Sequence, residues 1–267
     1  MFPVLVFPEF DRALITVGPF QLRWYALAYI AALLLGWRLV RRLAAQAPAV
    51  ASGPQVDDFL TWATLGVVLG GRLGYVLFYQ PGFFFAHPAE IPAVWHGGMS
   101  FHGGMLGVIV AIVWFCRREG IGVLAFADRI AVAVPIGLGL GRMANFINGE
   151  LPGRAAPSWL PWAMVFPQYD LIPRHPSEIY EALLEGVALF ALLFALSRGG
   201  AIRQRYGTLS GVFLLGYGVA RIVAEFFRQP DPFLGYLAFG ATMGQLLSIP
   251  LVVAGLGLLV WARRPSS

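Results

Sequence analysis

Long apolar runs, each closed or interrupted by a few arginines, dominate the pattern of hydrophobic and polar positions along the chain. Seven of these runs approach the length of about 20 residues that an α-helix needs to cross a bilayer, although the third is shorter. The pattern therefore predicts seven transmembrane helices. They cover approximately residues 24–40, 59–79, 103–115, 128–147, 176–196, 208–227 and 241–261.

The segments between the runs contain prolines and aromatic residues in place of a sustained apolar stretch. Residues 1–23 are expected to form an interfacial lead-in, and residues 47–58 a linker. Two irregular loops, at about residues 80–102 and 148–176, are expected on the outer side of the membrane. The pattern thus predicts a single polytopic membrane domain that includes all of residues 1–267.

Composition supports an all-α integral membrane protein. Hydrophobic residues make up 58% of the chain, charged residues only 12%, and the mean hydropathy is +0.70. A soluble domain of this size needs more polar surface. The net charge is +5, but the arginines stand in short clusters beside apolar runs, a placement that sets membrane orientation and does not indicate nucleic-acid binding. The single cysteine, Cys116, excludes an internal disulfide, and no cleavable signal peptide is expected.

The arginines also predict which side of the membrane each end occupies. Cytoplasmic segments carry an excess of basic residues. The linkers after the first, third and fifth runs and the C-terminal tail hold most of them, which places the N-terminus outside and the C-terminus in the cytoplasm. These residues are Arg38, Arg41, Arg42, Arg117, Arg118, Arg198, Arg203, Arg205, Arg263 and Arg264.

Three arginines lie inside predicted spans: Arg72, Arg142 and Arg221. Each is roughly 12–14 residues from the cytoplasmic end of its span, or about 18–21 Å at 1.5 Å per residue. A charge at such a depth costs about 2.5–3.5 kcal/mol on insertion scales, so the three are expected to face a shared interior cavity. Guanidinium groups match phosphate oxygens, which suggests an anionic lipid head group as ligand. A purely structural ion-pair network is the alternative.

Further polar residues surround these positions in the sequence. Glu178, Glu181 and Glu185 form a stripe with i, i+3, i+7 spacing, and some of them are expected to pair with the arginines. His102, at the outer end of the third span, is a candidate general base, or else a hydrogen-bonded helix start. No zinc-type histidine pair, phosphate-binding glycine loop or intramembrane aspartate pair is evident.

Several motifs in one order resemble those of the bacterial prolipoprotein diacylglyceryl transferases. The match covers nearly the whole chain and is clearest in Gly-Arg-Met-Ala-Asn-Phe-Ile-Asn-Gly-Glu, residues 141–150, which is followed by Gly153. Further matching segments are residues 7–11, 24–25, 70–75, 97–104, 174–177, 180–181 and 217–231. Two departures are His96, which stands where some relatives have an acidic residue, and a short loop between Gly153 and Pro173.

The resemblance implies an enzyme of the bacterial inner membrane that transfers the diacylglyceryl group of phosphatidylglycerol to the lipobox cysteine thiol of preprolipoprotein signal peptides. A thioether forms and glycerol 1-phosphate leaves, with no metal or cofactor. Membrane lipids and these signal peptides are the implied partners, and the active site is expected toward the outer leaflet. The substrate's own thiolate is expected to attack the glyceryl C3 carbon. Alternatives are an anionic lipid transporter, which would favour internal repeats that the sequence lacks, and a non-catalytic lipid-binding membrane subunit.

The same resemblance assigns the functional residues. His102, Arg142 and Arg221 are the expected catalytic residues. His102 is the first choice as the base that accepts the thiol proton, and activation of the thiol by the positive field of an arginine is the alternative. Tyr25 and Tyr217 are expected to contact the head group or else only to anchor helices, and Glu225 is expected to position Arg221. The substrate-binding set implied for phosphatidylglycerol and the lipobox peptide consists of Arg142, Arg221, Asn145, Tyr25, Tyr217, Gly153, Glu225, Glu150 and Glu181, and Arg72 is added to it because of its depth in the span.

Overall fold

The computed structural model describes residues 5–8, 10–11, 13–18, 20–157, 159–230 and 235–262. Asp231 of the motif at residues 217–231, and Arg263 and Arg264 of the C-terminal tail, lie outside these described residues. The chain divides into two compact units. One consists of Val40–Arg129, and the other of the residues before and after that segment.

Most of the described residues are helical. The helices are α1 (Trp24–Ala44), α2 (Gly53–Phe78), α3 (Pro81–Ala86), α4 (Phe101–Glu119), α5 (Val123–Ile147), α6 (Ser177–Glu181), α7 (Leu189–Ser197), α8 (Gly200–Gln204), α9 (Thr208–Glu225) and α10 (Met243–Ala262). A π-helical segment, Ala182–Ala188, joins α6 to α7 in one continuous helix, Ser177–Ser197. Short 3₁₀ helices form at Pro88–Glu90, Val94–His96 and Ala238–Gly240.

Among the described residues, six helices are long and apolar enough to cross a membrane, as expected for a multi-pass membrane protein. They are Gly53–Phe78, Phe101–Glu119, Val123–Ile147, Ser177–Ser197, Thr208–Glu225 and Met243–Ala262. The first predicted span is also a helix, Trp24–Ala44, but it is not one of the six. Its C-terminal part contains Arg38, Arg41 and Arg42. The count of seven spans and the orientation of the termini therefore stay predictions.

Helix α2 begins earlier than the sequence pattern indicated. The linker was predicted to extend to residue 58, whereas the helix begins at Gly53. The reason is a capping box: the side chain of Ser52 accepts from the backbone N–H of Gln55, and the side chain of Gln55 accepts from the backbone N–H of Ser52. Pro54 stands in the first turn, where no intrahelical N–H is required. Polar residues therefore begin this helix before its apolar run.

Within Val40–Arg129, α2 and α4 pack against each other through glycines. Gly66, Gly70 and Gly74 recur every four residues along α2 and form its contact side. Their partners are Gly103 and Gly107 of α4. A Cβ atom at Gly66 would lie 2.7 Å from the carbonyl oxygen of Gly107, and one at Gly74 would lie 2.8 Å from the Cα of Gly103. Small residues let the two backbones touch, which is how apolar helices associate where no hydrophobic effect drives them together.

The other unit uses glycines in the same way. Gly139 of α5 meets Gly186 of the π-helical segment, where a Cβ on Gly186 would lie 2.6 Å from the Cα of Gly139. Gly218 of α9 packs against α10, where an added Cβ would lie 2.8 Å from the side chain of Val252. These contacts bring α5 and the helix Ser177–Ser197 close enough for their polar side chains to meet.

Five short strands were not predicted. They are β1 (Leu5–Val6), β2 (Ala13–Val17), β3 (Phe20–Arg23), β4 (Met164–Val165) and β5 (Pro173–Arg174). β2 and β3 form an antiparallel hairpin, while β4 pairs parallel with β1 and antiparallel with β5. β1, β4 and β5 have two residues each, too few to produce a hydrophobic alternation, and β2 and β3 lie in the segment expected to be an interfacial lead-in, so the all-α expectation missed all five described strands. The pairing of β1 with β4, and of β4 with β5, ties the lead-in to the loop between α5 and α6.

Candidate active site

A cluster of three arginines and three glutamates lies in the compact unit formed by the residues before Val40 and after Arg129. Its members come from α5, from the helix Ser177–Ser197, and from α9 and the short segment after it. They are Arg142, Glu181, Glu185, Arg221, Glu225 and Arg228. We call this set the arginine–glutamate cluster. The prediction that the stripe glutamates pair with arginines is thereby confirmed for Glu181 and Glu185.

Glu181 is shared by all three guanidinium groups of the cluster. Its Oε1 atom accepts a hydrogen bond from Nη1 of Arg221 and another, at 3.2 Å, from Nη1 of Arg228. Its Oε2 atom lies 3.0 Å from Nε of Arg142, an ion-pair distance without the N–H direction of a hydrogen bond. One buried carboxylate thus brings together arginines from three segments of the chain.

Glu185 lies in the π-helical segment, one turn after Glu181. Its Oε2 atom accepts from Nε and Nη2 of Arg142, both at 3.4 Å, and its Oε1 atom lies 3.6 Å from Nη1 of Arg221. π-Helical turns are rare and occur often at functional sites. Here the wider turn carries the carboxylate that contacts both predicted catalytic arginines.

Glu225 holds the other side of Arg221. Its Oε1 atom lies 2.5 Å from Nη2 of Arg221 and 3.7 Å from Nε of Arg228. Its Oε2 atom accepts a hydrogen bond from Oγ1 of Thr242 at 2.6 Å. Both carboxylate oxygens therefore have a fixed partner, and the expectation that Glu225 positions Arg221 agrees with these contacts.

The cluster is layered by exposure. The side chains of Glu181, Glu185 and Glu225 are 1%, 0% and 4% exposed, whereas those of Arg142, Arg221 and Arg228 are 20%, 14% and 19% exposed. The carboxylates offset the cost of burying the guanidiniums and fix their orientation. Each guanidinium has five N–H donors, and some of them face away from the glutamates. This arrangement can bind an anion with several charge-assisted hydrogen bonds.

Asn145 connects the cluster's helix to two other predicted site residues. It lies one turn after Arg142 and is 6% exposed. Its Nδ2 atom donates to the hydroxyl of Tyr25 at 2.9 Å and to Oε2 of Glu150 at 3.3 Å, and Asn148 donates to the other oxygen of Glu150. Because the hydroxyl of Tyr25 accepts this bond, its own O–H stays available for a further acceptor.

Gly153 is required by close backbone packing. Its N–H donates to the carbonyl oxygen of His175 at 2.9 Å, and the residue forms a β-bridge with Arg228. A Cβ atom here would lie 2.6 Å from the carbonyl oxygen of Phe227. The neighbouring Arg154 donates from its side chain to the carbonyl oxygens of Glu225 and Arg228. The loop after α5 thus fixes the segment that carries Arg228.

The end of the same loop is held by an ion pair and by a histidine. Arg174 pairs with Asp170, and this pairing lowers the pKa of the Asp170 carboxyl and raises that of the guanidinium. Burial lowers the pKa of His175, whose Nδ1 atom lies 3.1 Å from the hydroxyl of Tyr180. The His175 ring also packs edge-on against Phe227, with centroids 5.2 Å apart. These contacts position the backbone that Gly153 meets.

Tyr217 lies one turn before Arg221 on α9. Its ring stacks on that of Phe213, with centroids 6.0 Å apart. Its hydroxyl makes no hydrogen bond to any of the described residues. Tyr217 is therefore placed beside the cluster and keeps an O–H donor available, which fits either of its two predicted roles.

Arg72 has a different set of partners, within Val40–Arg129. Its guanidinium is 5% exposed and donates only to backbone carbonyls among the described residues: Nε to Ile91 at 2.7 Å, Nη2 to Glu90 at 2.6 Å, and Nη1 to Gly97 at 2.5 Å and Gly98 at 3.2 Å. These bonds fix the loop between α3 and α4. We call this arrangement the Arg72 hub. Most of its donors are already used.

Near the Arg72 hub, a cavity of about 210 Å³ is lined by Arg72, Tyr75, Gln80, Phe83, Phe84, Glu90, His96, Gly97 and Gly98. The Nδ1 atom of His96 lies 2.8 Å from Oε2 of Glu90. The pair closes the loop on itself, so His96 has a structural role.

His102 is in the first turn of α4 and is exposed. Ser100 caps this helix, accepting from the N–H of Gly103 at 3.2 Å. Within the described part of the chain, the His102 ring contacts Phe101 edge-on and makes no hydrogen bond. The alternative of a hydrogen-bonded helix start therefore receives no support, because Ser100 satisfies the helix end.

Sequence reasoning missed Arg228 and Arg154 and left Glu185 out of the site. A signal for Arg228 existed: it follows Arg221 by seven residues and Glu225 by three, which places all three on one side of a continuing helix. No comparable signal marks Arg154, because its partners are backbone carbonyls. Among the described residues, no group of three or more His, Cys, Asp or Glu side chains is arranged as metal ligands.

Comparison with known proteins identifies the family of this chain. The family model described as prolipoprotein diacylglyceryl transferase matches residues 12–261. The chain belongs to this family. It is 63% identical over 262 residues to the phosphatidylglycerol–prolipoprotein diacylglyceryl transferase of Gluconacetobacter diazotrophicus, an alignment that covers 98% of this chain and 94% of the relative. It is also 61% identical to the proteins of that name from Acidiphilium cryptum and Paramagnetospirillum magneticum, with 97% of this chain covered in each case.

Proposed function

We propose that this member of the prolipoprotein diacylglyceryl transferase family transfers the diacylglyceryl group of phosphatidylglycerol to the lipobox cysteine of preprolipoproteins. Near-complete matches to relatives with that name support the reaction class. The arginine–glutamate cluster supports the assignment to particular residues, because its part-exposed guanidiniums form ion pairs with buried carboxylates. A phosphodiester oxygen is an acceptor that guanidinium groups bind through charge-assisted hydrogen bonds.

The chemistry is a displacement at the glyceryl C3 carbon. The thiolate of the substrate cysteine forms the new C–S bond, and the C–O bond to phosphate breaks. The electron pair of that bond leaves with the phosphate as glycerol 1-phosphate. Arg142 and Arg221, with Arg228 beside them, stabilise the charge that grows on the phosphate oxygens. Glu181, Glu185 and Glu225 orient these guanidiniums before the substrate binds. Donors that are already oriented need no reorganisation during the reaction, and this preorganisation is the main source of electrostatic catalysis.

The thiol must lose its proton, because the thiolate is the nucleophile and an ordinary cysteine thiol has a pKa of about 8.5. We assign the acceptor role to His102, whose exposed ring makes no hydrogen bond within the described residues and so keeps a nitrogen for the thiol. His102→Gln is expected to reduce turnover by about 10²–10⁴-fold, the usual contribution of a general base. Near-normal turnover of H102Q would exclude this role.

Tyr25, Asn145, Glu150, Gly153 and Tyr217 complete the proposed site. Tyr25 and Tyr217 donate their O–H groups to the glycerol head group, while Asn145 and Glu150 hold Tyr25 in place. Gly153 allows the backbone of the loop to approach Phe227 and Arg228. For Arg72 we now propose a structural role, because its donors bind backbone carbonyls.

We place the enzyme in the bacterial inner membrane with seven spans, the N-terminus outside and the C-terminus in the cytoplasm. Helix α1 is the additional span, closed on the cytoplasmic side by Arg41 and Arg42. In this orientation, the loops at about residues 80–102 and 148–176 and the active site lie toward the outer leaflet. Reporter fusions that find a cytoplasmic loop at residues 81–99 would contradict this orientation.

One assay tests the function directly. Purified protein is incubated with phosphatidylglycerol vesicles and a lipobox peptide, and the peptide is analysed by mass spectrometry. A gain of one diacylglyceryl mass on the cysteine is expected, together with release of glycerol phosphate. A peptide with Ser in place of Cys is the matched control and stays unmodified. No mass gain, combined with vesicle-to-vesicle movement of lipid, would identify a transporter. No mass gain with lipid binding alone would identify a non-catalytic subunit.

A further inference from the structure

Glu178 is a buried carboxyl group that the proposed mechanism does not use. It is 1% exposed, and neither of its carboxyl oxygens has a hydrogen-bond partner among the described residues. It lies in the first turn of the helix Ser177–Ser197, one turn before Glu181. It is therefore next to the arginine–glutamate cluster, although no ion pair joins it to the cluster.

The cluster is already balanced in charge without Glu178. Within the described residues, three guanidiniums face three carboxylates, and each carboxylate has at least two guanidiniums within ion-pair distance. Glu178 is the fourth carboxyl group. The charged groups that act on it are Glu181 of its own helix, Arg228 after α9 and Arg142 of α5. Both arginines are already bound to other glutamates.

An ionised carboxylate in this position would be both buried and unpaired. Burying an isolated charge is far more costly than burying a neutral polar group, so such groups take up a proton instead. A second negative charge one turn from Glu181 adds repulsion. A protonated Glu178 avoids both costs and leaves the cluster neutral.

We propose that Glu178 is a neutral carboxylic acid, and that its neutrality allows the arginine–glutamate cluster to accept an anionic lipid phosphate. Glu178 influences binding through the net charge beside the guanidiniums, and it does not touch the reacting atoms. The second half of the proposal rests on the proposed function, whereas the protonation state does not. An ionised Glu178 would add a negative charge beside the guanidiniums and weaken phosphate binding.

Infrared spectroscopy tests the protonation state without any substrate. The purified full-length protein is compared with Glu178→Gln, and the absorption of protonated carboxyl groups is identified by its shift in deuterated water. The expected result is that Glu178→Gln lacks one such absorption. Glu119→Gln is the control, because Glu119 is a part-exposed carboxylate that contacts Arg118 and Gln55, and no protonated absorption should disappear. An unchanged carboxyl absorption in Glu178→Gln would overturn the proposal.

The stability of Glu178→Gln is also decisive. Glutamine has the shape of a protonated glutamate and carries no charge, so the variant is expected to fold and insert as the wild type does. Failure of Glu178→Gln to fold, with Glu119→Gln folding normally, would show that the ionised form is needed and would overturn the proposal.

The pH profile of phosphatidylglycerol binding tests the functional half. Between about pH 6 and about pH 9, the wild-type KM for phosphatidylglycerol is expected to rise about tenfold, the effect of one added like charge near the site. Glu178→Gln is expected to show less than half of this rise on a logarithmic scale. Parallel profiles would overturn the functional half. If the wild type has no transferase activity, the proposed function fails, and the infrared result still decides the state of Glu178.

Discussion

The Arg72 hub and the arginine–glutamate cluster each bury arginines within apolar helices, but they give those arginines opposite kinds of partner. Arg72 donates to four backbone carbonyls of one loop. Arg142, Arg221 and Arg228 face carboxylates and keep part of each guanidinium exposed. The backbone carbonyls occupy most of the N–H donors of Arg72, so its guanidinium fixes a loop and has few donors for a ligand. Carboxylate partners orient the guanidiniums and leave part of each one exposed, as the proposed phosphate site requires.

This difference shows that the depth of an arginine in a span does not reveal its role. Arg72, Arg142 and Arg221 look alike in the sequence, because each is a charge inside an apolar run that is costly to bury. What separates them is which atoms offset that cost. The prediction of a common depth for Arg72, Arg142 and Arg221 stays a prediction, since the hub and the cluster belong to different compact units.

The largest expected effect is on the cluster. Arg221→Lys should reduce transferase turnover by about 10²–10³-fold, because lysine cannot bind a phosphate and two carboxylates with a planar fork. Activity is measured with the lipobox peptide, and folding by thermal unfolding in detergent. Arg117→Lys, at the exposed end of α4, is the matched control and should retain activity. Normal turnover of Arg221→Lys would contradict the phosphate-binding role.

A smaller effect, and on stability, is expected at the hub. Arg72→Met removes the donors of four backbone carbonyls and should lower the free energy of unfolding by about 2–4 kcal/mol, after some of those carbonyls gain water. Limited proteolysis should then cut residues 88–98 faster. The folded fraction should bind phosphatidylglycerol as the wild type does. A selective loss of lipid affinity, without loss of stability, would restore the ligand role first expected for Arg72.

Gly153→Ala tests how the loop supports the cluster. An added Cβ would meet the carbonyl oxygen of Phe227 and push away the segment that carries Arg228. Overpacking of this kind costs about 1–3 kcal/mol of stability, and turnover should fall with it. Gly257→Ala is the control, since nothing lies within 4 Å of a Cβ at Gly257. Equal stability of the two variants would show that the loop adapts.

The smallest expected effect depends on pH. Burial lowers the pKa of His175, so the unfolded chain takes up the proton before the folded chain does. Stability from the neutral ring is complete above the unfolded pKa of about 6.5 and declines as the pH falls below it. The melting temperature should therefore decrease more between about pH 7.5 and about pH 5 in the wild type than in His175→Asn. Parallel decreases would remove His175 as the cause.

The helices were predicted well, and the site was predicted in part. Six of the seven predicted spans coincide with helices that can cross a membrane. The predicted and observed helix ends differ by a few residues. The largest difference is at the start of α2, where the polar capping box of Ser52 and Gln55 begins the helix. Pairing of the stripe glutamates with arginines was expected, but the partners were not. Glu181 contacts three guanidiniums, whereas Glu178 contacts none among the residues that the structure describes.

The amino-acid sequence by itself determined the membrane character, the positions of the helices and the family, because apolar length and ordered motifs are local properties of the chain. Only the tertiary structure decided which intramembrane arginine binds carbonyls and which bind carboxylates, and that Arg228 joins the cluster. Those outcomes depend on contacts between residues as far apart as Arg142 and Glu185, which no spacing along the chain specifies.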